Sequence, residues 1–196
     1  MSPALSAVLH LSEWENFYVI VGSSAAALTG LTFIVITISA DRSERTDRSD
    51  GSPPRLFGLR AYITPTVVHF SASLLISALQ SVPGHTALSL ALCIGITGVL
   101  GALYCARVIY FMVRTFTDSQ YKPFLEDWIW NVALPVLAYL CLFVIAWVLP
   151  GHPELSLRVI AGVALLLLFI GIHNAWDVVA WITTERDARK PPSRGG

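Results

Sequence analysis

Charge is what this sequence has least of. Only 13% of its 196 residues are charged, and 55% are hydrophobic. A soluble domain carries about a quarter charged residues, so this chain has too little polar surface to coat a water-soluble fold. Cysteine is scarce too. Cys93, Cys105 and Cys141 all fall inside apolar runs and make neither a disulfide framework nor a zinc spacing. They read as small packing residues. There is no Walker lysine loop, no Gly-x-Ser-x-Gly elbow and no metal-ligand spacing. A soluble-type active site is therefore not expected, and no nucleophile–base pair stands out for an intramembrane one. The 13 basic residues are matched by 13 acidic ones, so no nucleic-acid partner is expected. No basic segment precedes the first apolar run, which argues against a cleaved secretory signal.

Long apolar runs are what the chain does have. Five are of a length to cross a hydrocarbon core of about 30 Å: 17–40, 61–82, 87–111, 128–149 and 157–182. In lipid each must be helical, because no water is there to satisfy backbone groups. The expected fold is all-α, a polytopic bundle of five transmembrane helices over 17–182, with a tail at 1–16 and a disordered tail at 183–196. Ser12-x-x-Glu15 matches a capping box, so the first helix is expected to start there. The acid–Arg–hydroxyl repeat from Asp41 to Ser52, closed by Pro53-Pro54, reads as a solvated loop.

Basic residues set the orientation. Arg42, Arg45, Arg48, Arg55 and Arg60 follow span one. Arg107 lies near the end of span three and Arg114 and Lys122 follow it, and Arg186, Arg189, Lys190 and Arg194 follow span five. The turns after spans two and four carry none, apart from Arg158 just beyond the second. The positive-inside rule then places the N-terminus outside and the C-terminus in the cytoplasm. In a bacterium this means the inner (plasma) membrane. Aromatic residues agree, with Trp14, Phe17, Tyr18 and Trp147 near the outer face and Tyr110, Phe111, Trp128, Trp130 and Trp181 near the inner one.

A short motif repeats. Pro83-Gly84-His85-x-x-Leu88-Ser89-Leu90 returns 67 positions on as Pro150-Gly151-His152-x-x-Leu155-Ser156-Leu157. A duplicated two-helix hairpin and convergence on a good helix–helix turn both account for it. His85 and His152 would then face outside, as a metal or pH-sensing pair or, more simply, as residues next to helix starts. Small-residue stripes at Gly22, Ala26, Gly30 and at Gly98, Ala102, Ala106 permit close helix approach, within the monomer or between subunits of a homo-oligomer.

Two constellations could carry chemistry. Tyr62, Thr66, His69, Ser73, Ser77 and Gln80 recur at helical spacing along span two, forming one polar face. Such a stripe avoids lipid and belongs in a helix seam or along a solvated path. Span five carries His173, Asn174 and Asp177, with His173 and Asp177 four apart on one face. Counting residues from the cytoplasmic ends puts His69, Arg107, Asn131, His173, Asn174 and Asp177 at similar depth. One shared cluster is expected, with an Arg107–Asp177 ion pair. Intramembrane ionisable groups suggest a proton relay or ion pathway. The expected function is a small channel-like or proton-linked transport protein, working without a cofactor. The alternatives are a non-catalytic partner subunit or sensor, with a membrane or cytosolic protein partner, and an electron carrier whose haem is held by His69 and His173.

Overall fold

The computed structural model describes residues 11–50, 56–118 and 125–188, and every regular element there is helical. A 3-10 turn over Leu11–Trp14 leads into α1, Glu15–Asp50; α2 is Leu56–Ser81 and α3 is Ala87–Asp118. A short α4, Leu125–Trp128, passes through a π-helical turn, Ile129–Ala133, into α5, Leu134–Val148; α6 is Pro153–Ala188. Ser12 falls on the 3-10 turn, and Glu15 is the first residue of α1.

Two helices outrun their apolar segments. α1 continues through the acid–Arg–hydroxyl repeat to Asp50, where a loop was expected, and α6 continues past Thr183 to Ala188. The reason is local. Neither extension holds a Gly or Pro; the breakers come only at Gly51 and at Pro191. Asp41 precedes Arg45 by four, as Glu44 precedes Arg48, a spacing that supports a helix.

Among the described residues, four helices are long and apolar enough to cross a membrane, over Leu11–Ile38, Ala87–Arg114, Ile129–Val148 and Pro153–Ala180. The chain is thus compatible with a multi-pass membrane protein. α2 matches them in length, with 26 residues, and carries the polar stripe along one face. Much of the surface is apolar. Ile20, Leu92, Leu103, Val144, Trp147 and Trp176 are among many large exposed side chains on several helices. So much contiguous apolar surface is abnormal in water and ordinary in lipid. Trp147 stands out at the surface, but Tyr18, expected at the headgroup level, is buried at 2% exposure.

The helices pack in the order α1, α2, α6, α5, α3. α2 packs mainly on α1 and α6, and α3 mainly on α5, while α2 and α3, joined by a tight turn, touch little. Glycines set the close approaches. A Cβ on Gly98 would come within 2.7 Å of the Phe143 backbone nitrogen, one on Gly101 within 2.0 Å of the Tyr139 ring, and one on Gly171 within 2.5 Å of Phe70.

The two Pro-Gly-His turns share a sequence and differ in conformation. Gly84 is left-handed, with φ 76°, which suits a residue without a Cβ. In the second turn the Gly151 and His152 amides both return to the Val148 carbonyl, at 3.1 and 3.0 Å, and no left-handed residue is used. Burial does not follow the repeat either. Thr66, His69, Ser73 and Gln80 are buried on α2, and the matching buried residues on α5 are Pro135, Ala138, Leu142 and Leu149, a shift of 69 rather than 67. Two residues are about 200° of helix. Relative to its turn, each first helix therefore buries nearly the opposite face, which favours convergence of the turns over a superimposable duplication.

Candidate functional site

The stripe on α2 lies in the seam against α1, α5 and α6. Thr66, His69, Ser73, Ser77 and Gln80 are all 3% exposed or less. Tyr62 has its side chain outside the described residues. Most of the stripe is used in packing. The Ser73 hydroxyl donates across the seam to the Ala164 carbonyl on α6 at 2.9 Å, while Ser77 and Ser81 donate back along α2 to Ser73 and Ser77 carbonyls, both at 2.9 Å. At the C-terminal end of α2, Gln80 lies close to the Tyr18 hydroxyl on α1. No hydrogen bond of normal geometry joins them, and the Tyr18 oxygen and both Gln80 amide atoms are buried without partners.

His69 is the junction of three helices. Its Nδ1 is 3.1 Å from the Tyr139 hydroxyl on α5. The Tyr139 ring lies 5.9 Å away, and the Tyr104 ring of α3 meets the imidazole edge-on at 6.2 Å.

His173 forms a second cluster near the other end of α6. Its ring stacks on Trp130 of the π turn, with centroids 3.9 Å apart and planes at 12°. Nε2 is 3.6 Å from a Glu126 carboxylate oxygen on α4, and Nδ1 is 3.3 Å from Asp177 on its own helix. The Asp177 approach is of ion-pair length but does not meet hydrogen-bond geometry, leaving Nδ1 without a formal partner. Only an imidazole protonated at both nitrogens can donate to carboxylates on both sides. Beside it, Asn174 is 4% exposed, and neither of its amide atoms has a partner.

The structure therefore gives two clusters where one was expected. The contact of Phe70 with Gly171 fixes the register of α2 against α6, so His69 and His173 stand at nearly the same level but belong to different sets of neighbours. Asn131 lies on the π turn, one residue from Trp130. Arg107 lies near Tyr104 on its own helix, and no Arg107–Asp177 ion pair is found among the described residues. Arg107 is exposed, its guanidinium 5.4 Å over its own neighbour Phe111, because α3 packs on α5 rather than on α6. The His69 imidazole is turned to Tyr139 and the His173 imidazole to two carboxylates.

Sequence reasoning missed Glu126, Trp130, Tyr104 and Tyr139. Glu126 and Trp130 are four apart, a legible helical pair, but the span had been started at Trp128, beyond Glu126. Tyr139 is a lone hydroxyl in the middle of an apolar run, and that was its signal.

The two turn histidines sit at the starts of different helices. His85 Nδ1 is 2.9 Å from Ser89 Oγ, and Thr86 and Ser89 cap α3 reciprocally, Ser89 N donating to Thr86 Oγ1 at 3.1 Å and Thr86 N to Ser89 Oγ at 3.0 Å. His152 directly precedes Pro153 at the start of α6. Among the described residues no group of three or more His, Cys, Asp or Glu is arranged to hold a metal ion. A second feature is an apolar crevice of about 170 Å³ between α1, α2 and α6, lined among others by Leu31, Val35, Phe70 and Val178. Comparison with family models, with curated proteins and with solved structures finds no match to this chain.

Proposed function

We propose that this is a five-span membrane protein of the inner (plasma) membrane, N-terminus outside and C-terminus cytoplasmic, working as a small proton-linked transport or channel-like protein. α2 is the fifth span in this reading, kept out of lipid contact along its polar face by α1 and α6. The observation that carries the proposal is the His173 cluster. An imidazole held between Glu126 and Asp177 and stacked on Trp130 is a group that takes up and releases protons at a membrane face. His69 supplies a second station at the same level, deeper in the bundle. Gln80, Tyr18 and Asn174 are buried polar groups without partners, and such groups are satisfied by water where a site has room for it. They mark the places where water would reach the seam.

Reconstituted into liposomes, the protein should pass protons, and flux should fall in Asp177→Asn, Glu126→Gln and His69→Ala. Normal flux in all three variants would remove these residues from the path, and a lack of flux for protons and for alkali cations would overturn transport itself. Assembly as a homo-oligomer belongs to this proposal, since one bundle of this size leaves little room for a pathway.

A second reading is a non-conducting partner subunit. It is favoured by the outer side of α1, where Ser23, Ala26, Ala27 and Gly30 are exposed together and would let another helix approach closely. Purification with a fixed partner, and no flux, would favour it.

A further inference from the structure

We infer that Tyr139 is the positioning residue of His69, and that Gly101 is what holds Tyr139 in place. The inference rests on the proposal that His69 is a proton station. Nothing in span two alone orients this imidazole. Its stripe neighbours Ser73 and Ser77 spend their hydroxyls on main-chain carbonyls. Among the described residues, the hydrogen bond to the ring joins it to another helix, between Nδ1 and Tyr139 Oη at 3.1 Å. Such a bond to one imidazole nitrogen settles which nitrogen is left to exchange protons. Here Tyr139 occupies Nδ1 and leaves Nε2.

The Tyr139 ring has little freedom. A Cβ on Gly101 would lie 2.0 Å from one of its carbons, and Gly98 brings the α3 backbone against the Tyr139 carbonyl, 3.0 Å from where a Cβ would stand. Tyr139 is 1% exposed, and the Tyr104 ring closes on His69 from α3. A glycine on α3 thus sets an aromatic ring on α5, and that ring sets an imidazole on α2. The hydroxyl, not the ring, delivers the effect, so it is removable with the packing intact.

The test is Tyr139→Phe in the full-length protein, read in two ways. The first is nitrogen NMR of histidine-labelled protein in lipid, with the His69 signals identified by their loss in His69→Gln. Tyr139→Phe should move the His69 ring-nitrogen signals and leave those of the other four histidines in place. The second is proton flux in liposomes, expected to fall by up to about a hundredfold, the low end of what a positioned proton-transfer group contributes. Gly101→Ala, which displaces the ring while keeping the hydroxyl, should also move the His69 signals; Gly162→Ala, whose Cβ would meet nothing within 4 Å, should move neither readout. Unchanged His69 signals in Tyr139→Phe overturn the inference whatever the flux. Moved signals with undiminished flux overturn the link to transport. If the wild type passes no protons, the proposed function fails, and the NMR result still decides whether Tyr139 positions His69.

Discussion

A few residues in this bundle are placed by atoms far away in the sequence. Gly101 is one. With a side chain there, Tyr139 must shift, and overpacking a tight core costs about 1–3 kcal/mol. Gly101→Ala should therefore melt at lower temperature than wild type in detergent. Gly162→Ala is the control. Its added Cβ meets open space, and Ala is favoured over Gly inside a helix by about 0.5–1 kcal/mol, so its melting temperature should hold or rise. Equal melting of the two variants would mean that the α3–α5 contact is loose. Ser73 is a milder case. Its bond to the Ala164 carbonyl is of a kind worth about 0.6 kcal/mol on average between membrane helices, so Ser73→Ala should lower the melting point only slightly. A large loss would mean that Ser73 does more than join α2 to α6.

At the scale of elements, the π turn is the decisive irregularity. One extra residue in Ile129–Ala133 changes the angular relation of α4 to α5, and π turns of this kind often accompany functional sites. It carries Trp130 onto His173, while α4 brings Glu126 to the same imidazole. Deleting one residue from the turn should restore a regular helix and rotate α4 by about 100° relative to α5. Trp130 and Glu126 would then leave His173. Reaction of His173 with diethyl pyrocarbonate should become faster in the deletion variant; an unchanged rate would show that the turn does not seat the cluster.

For the whole molecule, the proposed topology is the main commitment. Cysteines placed at Asp50 and at Arg194 should react with an impermeant thiol reagent only from the cytoplasmic side, and one placed at Gly84 only from outside. Labelling at Gly84 from the cytoplasmic side would mean that α2 does not cross, leaving the four helices that qualify on hydropathy alone. The packing order bears on this. α2 sits between α1 and α6 with its polar face buried, an arrangement that keeps that face out of contact with lipid if the helix crosses.

Much of the helical plan was legible without coordinates. Apolar length announces a helix in lipid, and Pro83-Gly84 and Pro150-Gly151 mark turns that do separate helices. The period of the α2 stripe was enough to say that Thr66, His69, Ser73, Ser77 and Gln80 share a face. These are local properties, written in spacing and in the chemistry of single residues. Which helix meets that face was not legible, because large apolar residues lie both on the surface and in the core and hydropathy cannot separate them. Only the tertiary structure put α3 on α5, leaving Arg107 without Asp177, and brought Tyr139 to His69 and Glu126 to His173. The repeated turn shows the same division. Its sequence recurs because any tight helix–helix turn has the same local needs, while the faces buried beyond it differ by two residues because each helix answers to different neighbours.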